Sequence, residues 1–255
     1  MRRGSLIPWA LALCCIWLFF SSCASSEKKA VPSDAQMLLQ AEELLAAKKY
    51  EKAQTLLKEL MSQYPASDWI PRAQLDLGRA YYEDKKYLEA KAEYQKFLEL
   101  HPQHQRVDEA HYYLGLTHDA EFRSVDRDSS PVQRALMEFQ TVLKEAPDSR
   151  YAPEAKEKSN ICRQRLAAHE FFVGRFYFRK GKYDAALGRF KYLVSHYPES
   201  EVEEETLYYQ GESLYRLEDS EGAGSAFLQL VERFPNSEYV SKARRRLAEL
   251  KAPDD

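Results

Sequence analysis

The chain has 255 residues, 44% of them hydrophobic and 30% charged, with a formal net charge of -3. A balance this mild and this mixed excludes a generally basic, nucleic-acid-binding surface. Four cysteines, only one of them beyond residue 23, exclude a disulfide-stapled fold.

The first predicted element is an export signal. Arg2 and Arg3 precede an apolar run from Leu6 to Phe20, shorter than a bilayer span and with Pro8 near its start. Small residues follow in FFSSCASS (19–26), which resembles the bacterial lipobox, where the cysteine becomes the first mature residue and is acylated. Cys23 fits this pattern. Cys14 and Cys15 do not, because Leu13 and Cys14 precede them and the apolar run continues past them. Each buried CH2 contributes about 0.8 kcal/mol and one chain alone binds marginally, so several chains on one residue make a stable anchor. Ala24 rather than aspartate follows the cysteine, which favours the outer membrane. Removing the signal peptide, residues 1–22, takes away only Arg2 and Arg3 among charged groups and moves the formal charge to -5. Residues 23–33 then form the lipidated N-terminus and a polar tether, of which the nine residues Ala24 to Pro32 reach at most roughly 30 Å when extended.

Ser33 and Asp34 read as a helix start, and from there the sequence repeats. Five prolines mark the period: Pro65, Pro102, Pro147, Pro198 and Pro235. Twelve residues before each stands an alanine (Ala53, Ala90, Ala135, Ala186, Ala223), and eight before each a large apolar residue (Leu57, Tyr94, Phe139, Phe190, Phe227). This is the second half of the tetratricopeptide pattern. The alanine admits a neighbouring helix, the large residue packs one turn on, and the proline ends the helix. The first helices carry a glycine in register, Gly78 in LDLGRAYY, Gly174 in FFVGRFYF and Gly211 in YYQGESLY, whereas the first repeat has Ala41 there. FFVGRFYF by itself would suit a buried strand; its register with the other repeats assigns it to a helix.

The proline-to-proline distances are 37, 45, 51 and 37 residues, against about 34 for a plain unit, and the two longest carry information. Gly115 to Pro147 is eight residues longer than Gly78 to Pro102, which locates an insertion around EFRSVDRDSSP. Pro147 to Gly174 is fourteen longer than Pro65 to Gly78, which predicts a long helix from about Tyr151 to Lys180. After Pro235, NSEYVSKARRRLAEL has a helical pattern with no partner following it, as expected of a cap. The predicted fold is all-α, a tetratricopeptide-repeat solenoid of five helix pairs plus a C-terminal capping helix. Repeats 1–3 occupy 34–146, and repeats 4–5 with the cap occupy 147–252.

Nothing in the chain reads as catalytic, so neither an enzyme nor a cofactor is expected. His101, His104, His111 and His118 cluster in sequence, but His111 and His118 lie two helical turns apart and the others flank Pro102, which is poor metal-ligand spacing. KGK at 180–182 and EGAGS lack the context of phosphate-binding loops. Lone Cys162 in a helical pattern reads as a packing residue. The glutamates of 201–205 and the arginines of 244–246 complement helix dipoles; the arginines would also suit anionic lipid or a partner's acid.

In stacked helix pairs the first helices line the concave, ligand-binding side. Taking Leu77, Gly78 and Tyr81 as packing positions turns Arg72, Leu75, Arg79 and Tyr82 toward that side. The corresponding residues are Phe171, Arg175 and Phe178 in repeat four, and Tyr208, Glu212 and Tyr215 in repeat five. Arginine beside tyrosine suits a peptide that carries an aromatic side chain and a carboxylate.

Taken together, QYPASDWIPRAQLDLGRAYYEDKKYLEA, the loop VDRDSSP and LAAHEFFVGRFYFRKGKYDAALGRFKYLVSHYP resemble the BamD family of tetratricopeptide lipoproteins of the outer-membrane β-barrel assembly machinery, over roughly residues 34–250. The resemblance implies a non-catalytic subunit at the periplasmic face of the outer membrane. Its C-terminal repeats would hold a BamA-like barrel protein with periplasmic repeat domains, beside other assembly-machinery lipoproteins, and its N-terminal repeats would receive unfolded outer-membrane proteins. Matching motifs add Tyr64 and Trp69 to Arg72, Arg79 and Tyr82 at the client end. They add Arg189 of LGRFKYL to Arg175, Phe178, Tyr208 and Tyr215 at the barrel-component contact. Ala66 and Asp68 depart from the family pattern. Asp126, Arg127 and Asp128 mark the family, and helix capping is their physical reading. The alternative is another periplasmic tetratricopeptide lipoprotein, a scaffold for pilus assembly or cell-wall synthesis, which would share the anchor and repeats but not the DRD loop and the long helix. An enzyme built on the histidine cluster would instead bind metal stoichiometrically.

Overall fold

A computed structural model describes residues 32–251, in which the periodic segments form eleven α-helices and no strand. The signal segment, Cys23 and most of the tether lie outside the described residues. Five antiparallel pairs follow in order: α1 (Asp34–Ala46) with α2 (Tyr50–Gln63), α3 (Ile70–Glu83) with α4 (Tyr87–Leu100), α5 (Val107–Glu121) with α6 (Ser130–Glu145), α7 (Ala152–Arg179) with α8 (Tyr183–His196), and α9 (Glu203–Arg216) with α10 (Ser220–Arg233); α11 (Val240–Glu249) closes the series against α10. Each helix packs on its neighbours in sequence, so the chain is a tetratricopeptide solenoid. Among the described residues no helix is long and apolar enough to cross a membrane.

The glycine register has a steric cause. A Cβ placed on Gly78, Gly115, Gly174 or Gly211 would come within 2.8, 2.7, 2.5 and 2.5 Å of the ring of Tyr94, Phe139, Phe190 and Phe227 respectively. In each case the ring belongs to the second helix of the same pair and is fully buried. The first pair buries the smaller Leu57 at that place, and there Ala41 is accommodated at 0% exposure. Glycine and ring are therefore one packing choice, and alanine and leucine are the other.

Four pairs turn through the same three-residue link. Lys86 N–H donates to Tyr81 O and Lys85 N–H to Tyr82 O, a pattern repeated at 48–49, 181–182 and 218–219. The residue in the left-handed region is Lys48, Lys85, Gly181 or Glu218, so this is the Schellman ending of a helix. KGK at 180–182 is thus a helix terminus. In the third pair the insertion replaces the link. Asp128 Oδ1 accepts from Ser130 N–H at 3.0 Å in a local turn that leads into α6, whose N-cap residue Ser129 makes no side-chain cap bond, and the inserted segment docks on α7 where a His169 ring nitrogen meets Val125 O at 2.7 Å.

The long α7, Ala152–Arg179, has the length that the spacing predicts. Its N-terminal half buries Ala155, Cys162, Leu166 and Ala167 with Val132, Ala135, Phe139 and Val142 of α6; its C-terminal half meets α8 through Gly174 and Phe190. One position differs from expectation: Leu75 is 1% exposed and belongs to the N-terminal core. An apolar side chain between α3 and its neighbours gains more by burial than on the open face.

Candidate functional site

Two adjoining cavities open on the face formed by α3, α5 and α7. One, of about 580 Å3, is lined by Trp69 and Arg72 from the start of α3, Arg106 and Glu109 from the start of α5, and Arg150 and Tyr151 before α7. The other, of about 450 Å3, is lined by Arg79, Tyr82 and Glu83, by Tyr112, Tyr113 and Leu116, and again by Arg150 and Tyr151 with Glu154. Four of the five residues expected at a client end thus lie along one groove. Tyr64 instead ends α2 and packs against the N-terminal core.

Local structure explains how the groove residues are held. Trp69 sits at the N-terminus of α3, where its backbone N–H meets Ser67 Oγ at 3.1 Å; the equivalent junction seats Tyr151 on Ser149 Oγ at 3.0 Å. Arg72 pairs with Glu42 of α1. Arg106 grips Glu109 through two bonds of 2.9 and 2.8 Å, and Arg150 reaches the same carboxylate at 3.4 Å while lying 4.7 Å over the Tyr151 ring. Tyr112 stacks on Tyr151 at 4.8 Å and donates to Glu154 at 2.7 Å; Tyr113 bridges the rings of Tyr82 at 5.9 Å and Tyr151 at 6.0 Å. Burial pushes the Tyr82 hydroxyl up to about 12, so these tyrosines remain neutral donors. Arg79 is exposed, and among the described residues it has no ion-pair partner within 4 Å. Beneath the groove, Asp76 is 5% exposed, with Oδ2 bonded to nothing.

The C-terminal residues form a second, denser constellation. Arg175 pairs with Glu205 at 2.5 Å and lies 4.2 Å over Tyr209, and Phe178 meets the rings of Tyr183 and Tyr209 at 5.3 and 5.1 Å. Tyr208 lies 5.0 Å from Tyr239, and Arg246 of α11 covers Tyr215 at 4.4 Å while binding buried Glu212 through bonds of 2.6 and 3.0 Å. The acid that Arg246 meets is therefore this chain's own. Arg189 stands apart on α8, exposed, donating to Glu170 at 3.1 Å and flanked by Tyr177 and Tyr192.

Other candidate groups have structural duties. Cys162 is buried and its thiol is pushed up to about 12 by that burial. His101 and His104 pack on Phe97, His111 meets Glu138 at 2.7 Å, and His118 is buried with its pKa lowered by desolvation. Among the described residues no three His, Cys, Asp or Glu side chains converge. Arg106, Glu109, Tyr113, Arg150 and Tyr151 were absent from the sequence expectation. Three of them occupy junctions between repeats; an aromatic four residues after the proline (Trp69, Tyr151, Tyr239) is the signal that points to Tyr151, whereas Arg106 holds that place after Pro102.

Fold and groove define a tetratricopeptide helix-pair solenoid with an arginine and tyrosine surface along the face of α3, α5 and α7. The comparisons narrow this class. A family model described as YfiO, outer membrane lipoprotein, matches residues 32–226, and the chain belongs to that family. It is 33% identical over 195 residues to the outer membrane protein assembly factor BamD of Vibrio cholerae serotype O1, covering 72% of this chain and 78% of that protein. It is 29% identical over 245 residues to the protein of the same name from Neisseria meningitidis serogroup A, covering 89% and 91%. Among solved structures, the TPR2AB domain of yeast Sti1 in complex with pHSP90 is similar over 86% of this chain and 83% of that one, at 13% identity and a TM-score of 0.48.

Proposed function

We propose that this protein is a non-catalytic outer-membrane protein assembly factor, held by acylated Cys23 at the periplasmic face of the outer membrane. In this reading repeats 1–3 receive segments of unfolded outer-membrane proteins. Repeats 4–5, through Arg189 and the Arg175, Phe178, Tyr208 and Tyr215 group, hold a BamA-like barrel component alongside other assembly-machinery lipoproteins. The observation that carries the client role is Arg79, an exposed cation without an ion-pair partner among the described residues, set beside the rings of Tyr82, Tyr113 and Tyr151. A carboxylate on the guanidinium and an aromatic side chain against the tyrosines would use both.

The test is fluorescence anisotropy with a labelled peptide that ends in an aromatic residue with a free carboxylate. A hydrogen bond to a charged group contributes about 1.5–3 kcal/mol, so Arg79→Glu should weaken binding at least about tenfold, and Tyr82→Ala should weaken it too, with unchanged helical circular dichroism. Equal affinity in wild type and both variants would remove the groove from the client role.

A further inference from the structure

The repeat register isolates one surface that the groove and the C-terminal group leave unused. Two residues after the repeat glycine stand Ala80, Thr117 and Ser213 in the second, third and fifth pairs, all at 0% exposure. These positions are small because the second helix of the preceding pair lies against them: α2 packs on α3, α4 on α5 and α8 on α9. In the fourth pair the same place holds Phe176 at 44% exposure, and one turn earlier Phe172 is 39% exposed.

The cause is the extra length of α7. Its first half takes the packing of α6, and the inserted segment reaches only His169. The half that carries Gly174 therefore runs past the end of α6, and the seat that a preceding helix fills elsewhere is open. Among the described residues, the ring contacts of Phe176 are to Tyr177 and Lys180 of its own chain segment, and Phe172 has none. The surroundings are cationic. Residues 171–183, FFVGRFYFRKGKY, contain four basic residues and no acid. Arg175 is neutralised by Glu205, which leaves Arg179, Lys180 and Lys182 exposed, the first two within one helical turn of Phe176.

We infer that the Phe172 and Phe176 face of α7 is a docking seat for an acidic amphipathic helix of a partner protein, which completes the helix array where α6 ends. The apolar side of that helix covers the two rings, as α2 covers Ala80, and its carboxylates meet Arg179 and Lys180. This surface is separate from the groove around Arg79, and its test is independent of the client reading.

The probe is a synthetic helical peptide with leucine and phenylalanine on one face and glutamate on the other, measured by anisotropy against full-length protein. Its counterpart carries lysine at every glutamate position. The glutamate peptide should bind, Phe172→Ala with Phe176→Ala should weaken it about tenfold or more, Arg179→Glu with Lys180→Glu should do the same, and Leu88→Ala, an exposed apolar position on α4 outside both surfaces, should leave it unchanged. These side chains are exposed, so circular dichroism should not alter. Equal binding of the lysine peptide, failure of the glutamate peptide to bind, or loss of binding in Leu88→Ala would overturn the proposal. Phosphatidylglycerol vesicles bound through the same four residues would overturn it in favour of a membrane-facing surface.

Discussion

Replacing Asp76 by asparagine should stabilise the protein at neutral pH and flatten its pH dependence. The carboxylate sits on α3 at 5% exposure with Oδ2 unbonded. The groups that face it are Arg106, Glu42, Arg72 and Glu109. Arg72 Nε is 4.0 Å away but already holds Glu42, and Arg106 holds Glu109. Burial therefore outweighs the arginines, and the pKa rises from 3.8 to about 6. Because the folded value lies above the unfolded one, the native state binds the extra proton. The associated stability is complete below the unfolded pKa and is lost as pH rises through about 6. Two units at about 1.36 kcal/mol each make the ionised carboxylate cost up to about 3 kcal/mol above pH 7. For a chain of this size that corresponds to roughly 6–12 °C in Tm as an upper bound. Thermal denaturation of wild type and Asp76→Asn at pH 5 and pH 8 checks it: the wild type should lose stability between the two, and the variant should lose much less and melt higher at pH 8. A variant that melts lower than wild type at pH 8, or keeps the full pH dependence, would show that the arginines and not burial govern this carboxylate.

Two further outcomes follow from packing. Gly174→Ala puts a methyl group about 2.5 Å from the Phe190 ring, an overpacking worth roughly 1–3 kcal/mol; Phe190→Leu in the same chain should recover most of the loss in a urea titration, and no recovery would refute the paired steric choice. Arg246→Ala strips buried Glu212 of both its guanidinium bonds and should cost about 3 kcal/mol, with Glu212→Gln in the same chain restoring part of it; an Arg246→Ala protein as stable as wild type would mean that α11 is held by its apolar side chains alone.

Much of this architecture is legible in the residues. The proline, alanine and glycine registers carry the pairing, and the fourteen-residue excess before Gly174 corresponds to a helix observed at Ala152–Arg179. The departure at Ala41 finds its reason in Leu57, a pairing already present in the spacing. The candidate groove was half legible: Arg72, Arg79 and Tyr82 follow from helical periodicity on one helix, and Trp69 from the motif QYPASDW that resembles the family. Tyr151 repeats the place of Trp69 four residues after the proline, but Arg106 and Arg150 follow from no period along the chain, and neither does the burial of Leu75, which depends on how closely neighbouring helices approach. Glu203 reads as a dipole charge in the sequence, yet it is fully buried and bound by Arg233 at 2.6 Å.

Local pattern by itself determined which segments are helices, where each stops and which faces carry the cores, because these depend on spacings of three, four and seven residues along one chain. Tertiary structure decided which charges are satisfied internally and which stay open. Arg246 is matched by Glu212, Arg175 by Glu205 and Arg72 by Glu42, whereas Arg79 and the Phe172 and Phe176 face have no such cover among the described residues. Those partners come from helices some thirty residues away, at distances that depend on how successive pairs stack, and helical periodicity along one chain carries no information about that stacking.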